Sequence, residues 1–296
     1  MAVTEVRGSS TPTVDDAPPP APAGSAAWRR NFQIAWPAAL LGLVLFACFV
    51  LPFLAPIPKP IGGSVLNSLL PSFSPGHPFG TDPNGNDILS RVLYGGRTSI
   101  MVALAVNLIG LAIGGGLGAI AGHLGGIGDS VIMRLFDVLI AIPSLALIVA
   151  VSLSLGPGVR NTILTLAFFS VPAFARIARA ETLRLREQPF MVAAKLSGTP
   201  MWRVVLRHIA PNVGPSLMTF AMLGLGVVMV IEGALSFLGL GIQRPSPSWG
   251  NMIADGQLSL SGTPNLVLWP SIALFLTVVA FNQLGEGLRS RWSGGR

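Results

Sequence analysis

An all-α, polytopic membrane protein with six transmembrane helices is the fold class this sequence predicts, and three observations predict it. Of its 296 residues, 51% are hydrophobic and only 10% are charged, where a soluble domain carries about 25% charged residues. The apolar residues gather into six stretches close to the roughly 20 residues that a helix needs to cross ~30 Å of hydrocarbon. None of these stretches alternates in polarity, and each is far longer than a buried strand.

The elements follow in chain order. Residues 1–30 read as a disordered tail. Up to residue 27 they are rich in Pro, Ala, Ser and Thr, as in "DDAPPPAPAG", and carry too few apolar side chains to offset the entropy of ordering. A cleaved signal peptide is not expected, because the first apolar run follows Arg29 and Arg30 and is too long for one. Span one covers 34–54 and is closed by Pro56, Pro58 and Pro60. Span two, 99–121, holds "GLAIGGGLGA", a composition that permits close backbone approach between helices. Spans three and four cover 131–155 and 161–177; spans five and six cover 216–240 and 266–284.

Charge sets the orientation. With the N-terminus inside, segments 55–98, 156–160 and 241–265 lie outside and hold five of the 19 Lys and Arg residues. The positive-inside rule therefore places both termini in the cytoplasm. The same asymmetry accounts for the net charge of +7, and no aromatic residues interleave with the basic ones as in a nucleic-acid surface. Cys48, the single cysteine, lies in an apolar run, so neither a disulfide framework nor a thiol metal site is expected. There is no Gly-x4-Gly-Lys-Ser/Thr loop to cradle ATP phosphates, and no nucleophile, base and orienting group at helical spacing. The reading is a non-catalytic subunit that binds no cofactor itself.

The longest cytoplasmic loop, 178–215, contains "MVAAKLSGTPMW". Pro189 interrupts any helix leaving span four. Phe190 to Ser197 fits two helical turns, and Gly198 supplies the left-handed residue that ends them. Thr199 suits an N-cap and Pro200 the first position of a second helix, which Pro211 is expected to stop near Ala210. Met201, Val205 and Ile209 form an apolar stripe, with Arg203 and Arg207 on another face. Two readings compete: an interfacial helix that ties two spans together, and a docking element whose small Ala193 and Ala194 seat in a partner's groove.

The spacing of Ala193, Ala194, Gly198, Pro211 and Pro215 resembles the EAA loop of permease subunits of bacterial ABC importers, with Val192 in place of the usual Glu. "RHIAPN" resembles the loop ending of the peptide-transport branch. Residues 77–99, "HPFGTDPNGNDILSRVLYGGRTS", resemble the outer-loop signature of the C-type permease of dipeptide and oligopeptide transporters, with Asn86 in place of an arginine. Residues 122–147, 232–253 and 276–289 are similar to three further blocks of that family, so the likeness covers nearly all of 77–290.

That resemblance implies a type I importer permease fold with its core domain over 99–290. It also implies dipeptide or oligopeptide cargo, with nickel chelates or another small solute as the alternative and an ATPase-independent secondary transporter as a more distant one. The implied partners are a second related permease, two ATPase subunits carrying ATP and Mg, an extracytoplasmic substrate-binding protein and the lipid bilayer of the cytoplasmic membrane; nucleic acid is not among them. Phe190, Val192, Ala193, Ala194, Lys195, Gly198, Thr199, Pro200, Arg203, Arg207 and Pro211 are then the ATPase-coupling residues.

Elsewhere the residues admit structural readings first. Asp82 in "TDPNG" is turn chemistry, and Asn86 or Asp87 caps a short helix, a better account than a metal site formed with His77. Arg134 and Asp137, three apart, are expected to pair near the inner end of span three, close to Asp129. Glu232 lies within span five, where a carboxylate either bonds a neighbouring helix near Ser236 or lines the pathway or gate. Trp249, in a proline-stiffened outer segment, suits a membrane interface. With Asp82 and Asp87 it belongs to an outer scaffold.

Overall fold

The computed structural model describes residues 23–293, with side chains over 31–292. The segment is helical, and no named strand occurs among the described residues. In order the helices are α1 (Ala23–Leu45), α2 (Leu51–Leu54), α3 (Ile88–Ile109), α4 (Gly115–Leu124), α5 (Gly126–Ala141), α6 (Ser144–Leu155), α7 (Val159–Arg186), α8 (Pro189–Leu196), α9 (Met201–Val204), α10 (Ala210–Phe237), α11 (Trp249–Gly256) and α12 (Asn265–Ser293). Five helical stretches are long and apolar enough to cross a bilayer: Asn31–Leu54, Ile88–Leu124, Val159–Arg186, Met201–Phe237 and Asn265–Trp292. The bent pair α5 and α6 makes a sixth if it is counted as one span.

Several boundaries differ from the sequence expectation. Of the expected tail, residues 1–22 lie outside the described residues, and α1 already begins at Ala23, one residue past the last proline of the tail. The expected third span is not straight: α5 and α6 meet at 86°. Pro143 causes the break, since it forces the preceding Ile142 into an extended conformation (ψ 136°). The short capped helix after Asp87 does not stop before span two. It continues as α3, passes through a π turn at Gly110–Gly114 and runs on as α4.

The second loop helix likewise does not stop at Pro211. α9 passes through a π turn, Val205–Ile209, directly into α10. A π turn shifts the hydrogen-bond ladder by one residue, which suits a following proline that has no N–H to give. The Asn212 side chain donates to the His208 carbonyl at 2.7 Å, satisfying one acceptor in the altered turn. A third π turn, Phe46–Val50, interrupts the first span. There Pro52 cannot donate to the Cys48 carbonyl, and Arg97 of α3 does so instead (Nε to O, 2.5 Å), while its guanidinium stacks over Tyr94 and Phe53.

Glycines set the closest packing. Gly110, Gly114, Gly118 and Gly122 recur every four residues and face α7 throughout. A Cβ on Gly118 would stand 2.1 Å from the Ala175 carbonyl oxygen, and one on Gly114 2.3 Å from that of Val171. Two ion pairs extend the same packing across α5 and α7. Asp129 takes a two-pronged contact from Arg179 (2.5 and 2.6 Å), and Asp137 pairs with Arg176 at 2.6 Å. The expected partner of Asp137, Arg134, is displaced by a residue from another helix.

The bundle has two distinct ends. At one lie α8, α9, the C-terminal ends of α4 and α7, and both the start of α1 and the end of α12, which meet where Gly287 touches Gln33 and Ile34. A core of Phe174, Met191, Val204, Ile209, Val213 and Leu217 fills this loop end. At the other lie segment 55–87, α11 and the start of α12, joined where Asn265 donates to the Phe79 carbonyl and Phe79 stacks on Trp269 at 3.9 Å.

Candidate functional site

The loop end carries a two-helix corner. Gly198 has φ +67°, and around it the backbone closes α8 doubly: Gly198 N–H donates to Lys195 O and Thr199 N–H to Ala194 O. This is the Schellman arrangement that a C-terminal glycine permits. The expected cap on the second helix is absent. Pro200 itself occupies the N-cap position, and the Thr199 hydroxyl pairs with Ser197 Oγ at 3.0 Å. With its hydroxyl held by the α8 terminus, Thr199 belongs to the preceding turn.

The faces of the corner are sharply divided. Met191 and Ala194 point inward, three residues apart, as do Val204 and Ile209; Ile209 of the expected stripe is thus buried, Val205 is partly buried against the same core, and Val204 joins them. Ala194 therefore seats α8 on its own protein, while Ala193 faces out. Val192 (48% exposed), Leu196 (83%), Trp202 (61%) and Leu206 (66%) stand in the open beside Phe190, whose ring lies 6.1 Å from that of His208. Lys195, Pro200, Arg203, Arg207 and Pro211 are exposed around them, with Arg203 stacked on Trp202. Leu196, Trp202 and Leu206 went unnoticed in the sequence because they fall off the apolar stripe. Being apolar yet off the buried face was itself the signal.

At the opposite end, the predicted scaffold residues hold backbone. Asp82 Oδ1 accepts from the N–H groups of Asn84 (2.8 Å) and Asn86 (2.9 Å), and Asp82 is backed by Arg91. Asn86 donates to Asp82 and accepts from Gly63 N–H at 2.9 Å. Asp87 caps α3 by accepting from Ser90 N–H at 2.7 Å, with its other oxygen against His77.

Trp249 is not at a membrane surface. It is 1% exposed, its indole N–H donates to Val92 O at 2.8 Å, and it lies against Gly96, where a Cβ would come within 2.6 Å of the ring. The space left by glycine on α3 lets the indole enter. Next to it Glu232 is also 1% exposed. Its carboxylate accepts from Ser99 of α3 (3.1 Å) and Ser236 of α10 (2.7 Å). Those hydroxyl oxygens accept in turn from the N–H groups of Trp249 (3.3 Å) and Ile242 (3.2 Å). Glu232, Ser99, Ser236, Trp249 and Ile242 thus form one hydrogen-bonded knot joining α3, α10, the start of α11 and the segment leading to it.

The described residues form a multi-span helical protein with a two-helix corner at one end and a braced loop scaffold at the other, and the comparisons specify its class. Residues 114–291 match the family described as binding-protein-dependent transport system inner membrane component, and the chain belongs to that family. It is 37% identical over 267 residues to the dipeptide transport system permease protein of Alkalihalophilus pseudofirmus, covering 88% of each chain. It is 41% identical over 216 residues to the glutathione transport system permease protein of Pectobacterium atrosepticum, covering 73% of this chain and 72% of that one. To the Escherichia coli glutathione permease it is 43% identical over 213 residues, covering 72% and 70% respectively.

Proposed function

We propose that the chain is a translocation subunit of an ATP-driven importer for short peptides of the size its relatives' names describe, a dipeptide or a tripeptide such as glutathione. In this reading the loop end and both chain termini face the cytoplasm, in accord with the excess of basic residues there. Two ATPase subunits hold the ATP and Mg, one of them seated on the α8–α9 corner. The chain has no active site of its own, a second related permease completes the pathway, and a binding protein delivers substrate at the scaffold end, where a cavity of about 430 Å³ lies between Gly63, Asn84, Arg91 and Asp255.

The observation that carries the reading is the corner itself. Contiguous exposed apolar residues on a surface mark a site for a partner or a membrane, and this set, Val192, Leu196, Trp202 and Leu206, is built on a stiff mount. α9 is continuous with a span that runs to Phe237, and α8 is locked to it through Met191 and Val204 in one core. A push on α8 therefore moves span five as a lever, without being absorbed by slack in a loop. When the ATPase subunits close on ATP, the corner carries their displacement to the pathway; hydrolysis and reopening reset it.

The test is Gly198→Val. Nothing lies within 4 Å of an added Cβ, so the cost is backbone alone: about 1–2 kcal/mol for a left-handed residue with a side chain, more for a β-branched one. The corner is expected to lose its angle while the spans stay folded. Peptide uptake should fall about tenfold, the equivalent of ~1.4 kcal/mol, with ATP hydrolysis retained. Uptake equal to the parent protein would refute the coupling role.

A further inference from the structure

Beside α8 opens a cavity of about 850 Å³ whose walls include His123, Arg186 and Lys195, together with Val192, Leu196 and Met201. Three basic side chains from three elements meet there, and no Asp or Glu lines the space. None of the three forms an ion pair among the described residues. His123 Nδ1 is buried with no hydrogen-bond partner, an arrangement that costs free energy until something accepts or donates there. The Arg186 guanidinium lies over Gly125, which has φ +63° and where a Cβ would come within 2.4 Å of Nη1.

We propose that this cavity receives a carboxylate side chain, Asp or Glu, from the ATPase subunit that seats on α8; the inference rests on the docking reading above. Charge complementarity argues for an anion, and position argues for its source. Val192 and Leu196 belong both to the cavity wall and to the exposed apolar face, so a partner covering that face reaches the cavity without a gap. α8 itself offers no acidic residue. The acid of this contact therefore belongs to the partner. The surrounding apolar wall lowers the local dielectric and strengthens the charge-assisted bond.

Carbodiimide coupling on the intact complex in native membranes tests this, because the reagent joins an amine only to a carboxylate in contact with it. The expected product is an amide between Lys195 Nζ and an Asp or Glu of the ATPase subunit. Lys195→Arg should abolish the cross-link yet keep the ATPase bound. Lys195→Gln should weaken ATPase binding about tenfold to a hundredfold, the range for one charge-assisted hydrogen bond. An ATPase recovered with the complex but never joined to Lys195, or bound equally well by Lys195→Gln, would overturn the proposal and leave a free phosphate or a lipid headgroup as the occupant to seek. A complex with no ATPase at all would overturn the docking reading instead.

Discussion

Glu232 accepts from two serine hydroxyls, and the serines in turn receive backbone N–H groups from Trp249, the first residue of α11, and from Ile242 in the segment leading to it. The carboxylate thereby fixes where the scaffold end sits on α3 and α10. Its replacement by Ala would leave both hydroxyls without an acceptor, at about 1–3 kcal/mol. Glu232→Gln keeps an oxygen and a similar shape. We expect Glu232→Ala to lower the thermal stability of the purified complex and Glu232→Gln to transport at close to the parent rate. A Gln variant that folds and assembles but does not transport would move the carboxylate from scaffold to pathway. At this scale the sequence was legible wherever chemistry is local. Asp87 as a cap, Asp82 as a turn residue and Gly198 as a left-handed terminus depend on neighbours a few positions away. Asp137 was not legible in the same way. Spacing pointed to Arg134, whereas its partner, Arg176, arrives from a helix 39 positions on. Trp249 failed for a related reason: its pocket is made by Gly96, more than a hundred residues earlier.

Among the elements, the α4–α7 pair is the tightest contact, and its glycines divide into those that face α7 and those that do not. Gly118→Leu would drive a side chain into the Ala175 backbone, a cost of about 3 kcal/mol at the upper end of overpacking penalties. Gly116, two residues away, has nothing within 4 Å of an added Cβ. Gly116→Ala should be neutral or stabilising by up to ~1 kcal/mol through helix propensity. Thermal unfolding of the two variants in one detergent would check the pair, and equal losses would contradict the packing described. The glycine spacing was visible in the sequence, but the partner helix was not. The three π turns were also hidden, because hydropathy reports that a stretch is apolar and helical without reporting how its ladder shifts. Pro143 and Pro211 show the same limit from opposite sides. One proline bends an apolar run by 86°, and the other is carried inside a continuous helix behind a π turn.

Over the whole molecule, composition and the apolar runs were enough to reveal a helical membrane protein, and the blocks from residue 77 onward were enough to place it among transport permeases. The account that unites the parts is mechanical. A braced scaffold end is tied through Glu232 and Trp249 to spans that, at the loop end, carry a stiff corner with an uncovered apolar face. An exposed apolar face is covered by a partner or by the membrane interface, and the central claim is that a partner covers this one. The most direct test is affinity isolation of the tagged full-length chain from native membranes, with mass spectrometry of the proteins that accompany it. The account predicts a second permease together with P-loop ATPases. It also predicts that the ATPases, and not the permease, are lost when the corner is disrupted by Gly198→Val combined with Leu196→Glu. A chain isolated alone that still transports peptide would contradict it.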